Sequence, residues 1–414
     1  MKRVLVLVEN LPSPFDRRVW QEAATLRDAG YSVSIVCPTG KGCERRFERI
    51  EGIDIWRYHL PVEGSGALGY LAEYASALAK SFFLSLRIAF GRGFDIVHAC
   101  NPPDLFFLIG GFYKLLGKKF VFDHHDASPE LYEAKFGRKD LLWKIMLWLE
   151  KLTFRTADIC IATNESYRRI ALERGAMAPE KVFVVRSGPS LERMQILPPK
   201  NELKRGRKYL VGYVGVMGRQ EGIDYLLRAA AHIVHDLGRS DVHFGLVGGG
   251  TSLEEMRRLA GELGIAEYVT FTGRVPDAEL LAMLNTAEVC VNPDAANAMN
   301  DISTMNKVME YMALGKPIVQ FDLAEGRFSA REASLYARRN NAFDFASKIL
   351  ELLQNPKKRQ AMGELGRRRV LEELEWRHEA PKLLAAYASL QGLVRPDLRR
   401  PAAPSSRSAI LPPR

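Results

Sequence analysis

The chain has 414 residues, of which 47% are hydrophobic, and a formal net charge of +10. This length exceeds what one hydrophobic core usually supports, so two domains of roughly 200 residues each are expected. The five cysteines are scattered without a CxxC pair, which excludes a disulfide framework and indicates a cytoplasmic protein with reduced thiols. The positive charge lacks any zinc finger or RNP-like aromatic pattern, so it favours phosphorylated compounds or an anionic membrane surface over nucleic acid.

The first half of the chain alternates short apolar runs with stretches of helical periodicity. Strands are predicted at Val4–Val8, Val33–Cys37, Phe94–Ala99, Lys119–Asp123, Ala157–Ala162 and Val182–Val185. Strands separated by helices indicate a parallel, doubly wound sheet. The segment Met1–Val8 lacks the long apolar core and cleavage site of a signal peptide, so we do not expect export.

The loop after the first strand, Glu9–Asp16, precedes a helix whose first turn carries Arg17 and Arg18. A helix N-terminus already carries about half a positive charge, so two arginines there are unfavourable unless an anion compensates them. The pattern therefore predicts an anion site, with even weight on the alternative that both side chains extend into water.

A strongly apolar segment, Leu68–Phe90, is interrupted by Glu73, Lys80 and Arg87. These charges disfavour a bilayer span. We favour a helix that covers the sheet over an amphipathic helix that rests on lipid.

A cluster of titratable side chains follows the fourth predicted strand, in the motif DHHDASPELY from Asp123 to Tyr132. A histidine beside a carboxylate suits acid/base chemistry or a hydrogen bond to a sugar hydroxyl. Adjacent histidines point in different directions, so at most one of His124 and His125 is expected to reach a cleft. No third ligand lies nearby, so no metal is predicted. Packing histidines are the weaker alternative.

The polar, basic and proline-bearing segment Pro189–Arg207 separates two halves of the chain. Beyond it, strands are predicted at Tyr209–Val214, Val242–Val247, Val269–Thr272, Val289–Val291 and Ile318–Phe321, and helices at Ile223–Leu237, Leu253–Leu263 and Asp277–Asn285. We therefore predict two Rossmann-like domains at 1–190 and 208–375 with a linker at 191–207. A terminal helix at 376–393 is predicted to pack back on the first domain, and a disordered basic tail to occupy 394–414.

Glycine-bearing loops follow the strands of the second half, where ligands bind in open α/β sheets. Gly215 and Arg219 lie in the motif GYVGVMGRQEG, Gly248 and Gly249 follow the next strand, and Arg274 follows the third. Backbone N–H groups at such loops can approach a phosphate closely. Tight turns require glycine anyway, and the spacing is not GxGxxG, which disfavours a nicotinamide enzyme.

The stretch NDISTMNKVMEYMALGKPIV, residues 300–319, predicts a helix that is apolar on one side only. Ser303, Lys307 and Glu310 fall on one stripe of this helix. The polar stripe indicates a site, and an exposed ion pair between Lys307 and Glu310 is the alternative of equal weight.

These motifs together resemble the retaining family-4 glycosyltransferases of the GT-B fold, over roughly Val4 to Leu390. The marks are PSPFDRRVWQEA, DHHDASPELY, VGYVGVMG, LVGGG, FTGR and NKVMEYMALGKPIV. The wording of the first two motifs is similar to bacterial enzymes that build exopolysaccharide, capsule or lipopolysaccharide.

This resemblance implies two facing Rossmann-like domains, with a nucleotide-sugar donor held mainly by the second and an acceptor mainly by the first, and neither a cofactor nor a divalent cation. It implies that Glu310 binds the donor ribose hydroxyls, that Lys307 lies toward the donor phosphates or sugar, and that His125 lies beside the reacting sugar. We accordingly predict His125 and Asp126 as catalytic. The remaining predicted residues are Gly215, Arg219, Gly248, Gly249 and Arg274 for the donor, and Arg17 and Arg18 for the acceptor.

The sequence departs from the family pattern at three positions. Ile302 occupies the place of the first of two family glutamates, and the family Gly-Arg and Lys-Gly pairs are Gly215-Val216 and Glu221-Gly222. Both usual phosphate cations are therefore missing. We expect Arg219, Lys307 and Arg274 to replace them; the alternative is that donor binding has been lost.

The expected function is retaining transfer of a sugar from a nucleotide-diphosphate donor to a lipid-linked or polysaccharide acceptor, by a cytoplasmic enzyme peripheral on the inner membrane face. A nucleotide-sugar epimerase of the same architecture and a catalytically silent scaffold are the alternatives.

Overall fold

The computed structural model describes residues 2–60, 66–390 and 392. Its first sheet has eight strands in the order β3-β4-β2-β1-β5-β6-β7-β8, and every neighbouring pair is parallel except β3 and β4. The strands are β1 (Arg3–Leu7), β2 (Ser32–Pro38), β3 (Phe47–Ile50), β4 (Ile53–Tyr58), β5 (Ile96–Cys100), β6 (Lys119–His124), β7 (Ile159–Ala162) and β8 (Val182–Val184). The central strands are buried along their length, because helices cover both faces of a doubly wound sheet.

Six helices connect the strands of this first domain. They are α1 (Arg17–Asp28), α2 (Gly66–Phe90), α3 (Phe107–Leu115), α4 (Ser128–Phe136), α5 (Leu141–Thr156) and α6 (Glu165–Glu173). None of the helices within the described ranges is long and apolar enough to cross a bilayer.

The second sheet has six parallel strands in the order β11-β10-β9-β12-β13-β14. They are β9 (Tyr209–Val214), β10 (Val242–Val247), β11 (Val269–Phe271), β12 (Val289–Asn292), β13 (Ile318–Phe321) and β14 (Ser334–Ala337). The helices of this second domain are α7 (Ile223–Ala231), α8 (Leu253–Glu262), α9 (Asp277–Thr286), α10 (Ala298–Ile302), α11 (Asn306–Ala313), α12 (Ala324–Ala330), α13 (Ala342–Gln354) and α14 (Pro356–Arg369). The prediction of two parallel, doubly wound sheets is confirmed.

One predicted helix is broken in the structure. The stretch 300–313 forms two helices, because Ser303 and Met305 are extended, with φ −93°, ψ 134° and φ −86°, ψ 107°. Tertiary hydrogen bonds from the first domain hold the break: Asn164 Nδ2 donates to Thr304 Oγ1 at 3.0 Å and to the Ile302 carbonyl at 2.8 Å. Ser303 therefore does not share a helix with Lys307.

The last described helix, α15 (Trp376–Ser389), returns from the second domain to the first. Leu383, Ala386 and Tyr387 are fully buried there among strands of the first sheet. The chain crosses between the domains twice, near Gly188 and near Leu374–Trp376, and the two crossings lie side by side. They are so close that a Cβ on Gly188 would collide with the backbone at Leu374 and Trp376. The predicted tail at 394–414 lies outside the described residues.

Burial of Leu383 gives a test of this docking. Leu383→Ala removes a fully buried side chain from α15, so the free energy of unfolding should fall by about 2–5 kcal/mol. Leu365→Ala, at an exposed position on α14, is the control and should change it by less than about 0.5 kcal/mol. Chemical denaturation measures both, and equal effects of the two substitutions would contradict the docking.

Candidate functional site

The carboxyl ends of the two sheets face one gap between the domains. The segment after β7 reaches across it: Tyr167 Oη lies 3.3 Å from Ser303 Oγ, and Ser166 Oγ donates to Glu325 Oε1 at 2.8 Å. Arg186, which follows β8, contributes an ion pair to Glu325 at 3.3 Å. The loops that follow the strands of both sheets therefore border the same space.

Lys307 lies at the start of α11 among groups from strand β9 and from the loops that follow β9 and β12. Its Nζ donates to Asp294 Oδ1 at 2.7 Å and to Glu221 Oε2 at 2.9 Å, and it lies 5.1 Å from the ring centre of Tyr213. A Cβ on Gly215 would be 3.4 Å from this nitrogen. The side chain is only 10% exposed, so it points inward, against the loop that follows β9.

The two carboxylates keep the lysine charged. Burial alone would lower the pKa of Lys307, but Asp294 and Glu221 together raise it well above its usual range. Burial raises the pKa of Asp294 to about 7, with Lys307 opposing and Glu221 adding to the rise. The charge of Lys307 is thus already compensated by the two carboxylates. One of them, Asp294, can take up a proton near neutral pH, which would leave part of the lysine charge available to another anion.

Gly215, Gly248 and Gly249 form a close backbone contact at the ends of β9 and β10, which we call the glycine seam. Gly248 has φ +133°, donates its N–H to the Gly273 carbonyl at 3.0 Å, and lies so close to the Gly215 carbonyl that a Cβ would overlap it. Gly249 accepts from the Met217 N–H at 3.0 Å. Only glycine permits this approach, which brings predicted phosphate-loop positions together.

Arg274 and Arg219, both predicted to replace missing phosphate cations, lie in different places. Arg274 packs over the glycine seam, since a Cβ on Gly249 would be 3.4 Å from its Cγ, and its guanidinium lies 5.9 Å from the ring centre of Phe15 in the first domain. Arg219 is exposed and lines a surface cavity of about 420 Å³ between α7 and α8 that neither Lys307 nor Arg274 lines. The structure therefore separates Arg219 from the cations that face the gap.

Glu310 takes part in an ion-pair network that spans the gap. Arg17 of the first domain contacts Glu310 Oε1 at 3.1 Å and Asp277 Oδ1 at 3.0 Å; Arg193 contacts Glu310 Oε1 at 2.8 Å and Asp277 Oδ2 at 2.6 Å. Hydrogen bonding from Arg193, against partial burial, lowers the pKa of Asp277. Glu310 is only 14% exposed, so it too points away from bulk solvent.

This network contradicts one sequence interpretation and adds an observation to another. Lys307 and Glu310 do not pair with each other, because each has its own set of oppositely charged partners. Arg17 was predicted to bind the acceptor, yet it contacts the residue predicted to bind the donor ribose. The structure thus brings Arg17 and Glu310 into one cluster.

His125 lies at the end of β6 beside a buried carboxylate, which is that of Asp123. Its Nε2 is 2.5 Å from Asp123 Oδ2 and 2.9 Å from Arg18 Nε. Asp123 also contacts His98 Nε2 at 3.2 Å, and Tyr387 Oη lies 2.7 Å from the other nitrogen of His98. A continuous chain of hydrogen-bonding groups therefore runs from the C-terminal helix to His125.

Arg18 is the cation of this cluster and is not placed to contact an acceptor. Its guanidinium, only 6% exposed, contacts Asp123 at 2.9 Å and Glu22 at 3.0 Å and donates to the Val185 carbonyl. Burial would raise the pKa of Asp123, but Arg18 and His125 hold it well below its usual range. Burial raises the pKa of Glu22 well above its usual range, against the pull of Arg18. Arg18 therefore pairs with carboxylates of its own domain, which differs from the predicted contact with an acceptor.

Asp126 and His124 flank His125 in different ways. Asn101 clamps the backbone of residues 125 and 126 by accepting both N–H groups on Oδ1, at 2.7 and 3.1 Å. Burial, opposed by His125, raises the pKa of Asp126, whereas it is the carboxylate of Asp123 that lies against the His125 ring. His124 is fully buried among aromatic rings, and this burial lowers its pKa to about 3. Of the two adjacent histidines, only His125 is partly exposed.

Two overlapping groups of side chains, His98 with Cys100 and Asp123, and Glu22 with Asp123 and His125, have the separations of metal ligands within the part of the chain described. Arg18 already supplies the positive charge there. The carboxylates of this cluster are thus already paired with a guanidinium.

Sequence reasoning missed several members of these clusters. Asp294 follows β12 by two residues, so the strand-end rule that found the other loops could have found it. Arg193 lies in the segment predicted only as a linker, and Tyr387 lies in a helix with no local sign of a polar partner. Their roles depend on contacts with residues 117 and 289 positions away.

Two family models match most of the chain. Residues 16–193 match the model described as Glycosyltransferase Family 4, and residues 208–355 match Glycosyl transferases group 1. The chain is 26% identical over 321 residues to an MMP alpha-(1->4)-mannosyltransferase of Mycolicibacterium hassiacum, covering 74% of each protein. It is 25% identical over 352 residues to a 2-deoxystreptamine glucosyltransferase of Streptomyces kanamyceticus, covering 82% of this chain and 89% of that one.

Solved structures show the same two-domain fold. A sucrose-phosphate synthase from Thermosynechococcus elongatus superposes with a TM-score of 0.76 at 19% identity, covering 95% of this chain and all (100%) of the other. Anabaena HepE in complex with UDP-glucose superposes with a TM-score of 0.70 at 14% identity, covering 94% of this chain and 100% of the other.

The buried lysine cluster predicts a pH-dependent effect on stability. Lys307→Met leaves the carboxyl groups of Asp294 and Glu221 without their cation, which should lower the free energy of unfolding by about 3–5 kcal/mol. The folded-state pKa of Asp294 is already raised, so the penalty should grow as pH rises from 5 to 8 and shrink where the carboxyls are protonated. Thermal unfolding at both pH values measures it.

Two variants control this experiment. Adding Asp294→Asn and Glu221→Gln to Lys307→Met should restore most of the loss, whereas Lys357→Met, at an exposed site on α14, should have little effect at either pH. A pH-independent loss in Lys307→Met would contradict the assignment of charge in this cluster.

Proposed function

Because the chain is a GT-B glycosyltransferase with a family 4 domain followed by a group 1 domain, we propose that it transfers a sugar with retention from a nucleotide-diphosphate donor. The proposed acceptor is lipid-linked or a growing polysaccharide in cell-surface polysaccharide synthesis. The observation that carries the proposal is the ion pair between Arg17 of the first domain and Glu310 of the second, which places Glu310 at the gap; Lys307 lies one turn earlier on the same helix, and His125 lies at a strand end of the first domain.

The donor is proposed to lie along the second domain. Its diphosphate would lie against the glycine seam, where the absence of side chains leaves room, with Lys307 beside Gly215 and Arg274 beside Gly249. Glu310 would accept hydrogen bonds from the ribose hydroxyls in exchange for those from Arg17 and Arg193, and the two guanidinium groups would then keep only Asp277 as an acidic partner. These cations take the place of the family residues missing at Val216 and Glu221, and they would stabilise charge on the leaving diphosphate without a divalent cation.

The sugar is proposed to lie against the first domain. His125, held by Asp123 and by the Asn101 clamp, would hydrogen-bond a hydroxyl of the transferred sugar and so fix its orientation toward the acceptor. The Arg17–Asp277 contact across the gap would persist with the donor bound and gives the domains a means of closing, and closure would exclude the water that hydrolyses an activated donor.

A catalytically silent scaffold remains the second candidate, because one specific feature favours it. Glu221 and Asp294 already neutralise Lys307, and a site built this way loses affinity for phosphate unless a carboxyl is protonated or displaced. Binding of a nucleotide diphosphate decides between the two candidates, since a scaffold should give no binding heat with UDP, GDP or their sugars.

Glu310 gives the direct test of the donor site. We expect one nucleotide-sugar from a panel to raise the melting temperature and to bind in calorimetry, because ligand that binds only the folded state stabilises it. Glu310→Gln removes a charged acceptor and should weaken that binding about ten- to a hundredfold, the equivalent of about 1.5–3 kcal/mol. NMR of the product reports whether the anomeric configuration is retained.

Glu279→Gln is the matched control, since Glu279 is an exposed carboxylate on the neighbouring helix α9. It should bind the same nucleotide-sugar as the wild type does. No binding by the wild type, or equal binding by Glu310→Gln, would contradict the proposed donor site.

The chain of groups from α15 to His125 predicts a positioning role for Tyr387. Tyr387→Phe removes the hydroxyl that lies 2.7 Å from His98 Nδ1, so kcat should fall about two- to tenfold while the donor Kd stays constant. The pH profile of kcat should also shift, because loss of the Tyr387 hydroxyl changes the hydrogen bonding of His98, which in turn contacts the Asp123 carboxylate. Tyr113→Phe, which removes a buried hydroxyl bonded to Ser85 in the same domain, should change neither quantity.

A further inference from the structure

Two neighbouring helices of the first domain expose large apolar side chains in matching stripes. Leu108, Phe112 and Leu115 repeat at helical spacing along α3, and Leu141, Ile145 and Trp148 repeat at the same spacing along α5. All six are exposed; Leu115 is 88% and Trp148 59% accessible. Single exposed apolar residues are ordinary, but a contiguous set marks an interaction surface.

The stripes form one surface, because the helices that carry them pack together. α3 and α5 are in contact, and Lys114 Nζ on α3 donates to the Thr156 carbonyl at the end of α5 at 2.7 Å. On the other side, the Phe112 ring contacts Phe82 of α2 with centroids 5.3 Å apart. Phe83 and Phe90 of α2 are exposed as well, so they extend the surface. We call the exposed side of α3 and α5 the α3–α5 face.

The charge of the α3–α5 face has one sign. The segments 105–119 and 141–156 contain a single acidic residue, Glu150, which is fully buried and paired with Arg174. The same segments contain six basic residues, which are Lys114, Lys118, Lys119, Lys144, Lys151 and Arg155. Asp95 and Asp158 at the rim pair with Lys118, Lys114 and Lys119, which leaves Lys144, Lys151 and Arg155 beside the apolar stripe of α5.

We propose that the α3–α5 face rests on an anionic phospholipid surface. Leucine and tryptophan side chains enter the boundary between headgroups and acyl chains, and each nearby Lys or Arg adds roughly 1 kcal/mol of attraction to an anionic leaflet. A second copy of the chain fits less well, because two faces that both carry unpaired cations would repel each other.

The face lies where a lipid-borne acceptor could reach the candidate site. α3 follows strand β5 and α5 leads into the parallel strand β7, so the first turns of both helices, with Leu108 and Leu141, lie toward the carboxyl edge of the sheet that borders the gap. The helix between them in sequence, α4, contacts α10 of the second domain. This inference rests on the proposed function only for the identity of the acceptor; the membrane contact itself is independent of it.

Vesicle binding by the full chain tests the proposal. The wild type should sediment with vesicles of equimolar phosphatidylcholine and phosphatidylglycerol, bind phosphatidylcholine alone at least tenfold more weakly, and lose affinity as salt rises. The double variant Leu115→Ser, Trp148→Ser should bind the anionic vesicles at least tenfold more weakly. Lys144→Gln with Lys151→Gln should remove most of the salt dependence.

The control double variant is Phe343→Ser, Leu365→Ser, which changes two exposed apolar residues of the second domain and should bind vesicles as the wild type does. Equal vesicle binding by all variants would overturn the proposal. So would a wild type that ignores vesicles but dimerises in sedimentation velocity and becomes monomeric in Leu115→Ser, Trp148→Ser. Calorimetry with the nucleotide-sugar separates the two hypotheses, because the face variants should bind it normally, and its failure alone would contradict only the proposed function.

Discussion

A charged carboxylate in a dry interior needs compensation, and the first domain is organised around one such group, Asp123. Its partners come from elements far apart in the chain: Arg18 from α1, His98 from β5, and His125 from the end of its own strand. Tyr387 of the C-terminal helix completes the set through His98. The buried ion pair between Asp123 and Arg18 is costly unless its hydrogen-bonding partners are in place. The contacts that stabilise the folded domain therefore also fix the orientation of His125.

The second domain handles charge in the opposite way, with a buried cation between two carboxylates. The family cations expected at residues 216 and 221 are absent, and Lys307 enters from α11 to meet Glu221. Arg17 and Arg193 bring further positive charge to Glu310 from outside the domain. The positive charge near the gap is therefore distributed over both domains and the linker, which makes the electrostatics of the site depend on how the domains are apposed.

The sequence was informative where local rules decide the outcome and uninformative where distant contacts do. Short apolar runs located most strands of both sheets, and the rule that ligands lie at strand ends led to His125 and the glycine loops. Helical periodicity led to Lys307 and Glu310. The break at Ser303 was missed because Asn164 and Tyr167, about 140 residues earlier, hold it open. Arg18 was misread for the same reason: helix-dipole reasoning predicts a compensating anion, and the anions that compensate Arg18 are carboxylates of the protein itself, those of Asp123 and Glu22.

The pair of adjacent crossings at Gly188 and at Leu374–Trp376 constrains how the two halves of the molecule can move. A single flexible connection would allow twisting and sliding in any direction, whereas two neighbouring tethers leave mainly a hinge rotation about the line that joins them. The second tether continues into α15, whose Tyr387 hydroxyl lies 2.7 Å from His98 Nδ1. Rotation about this hinge would move the helix whose Tyr387 hydroxyl contacts His98. Opening of the domains would therefore change the hydrogen bonding of Asp123 and His125.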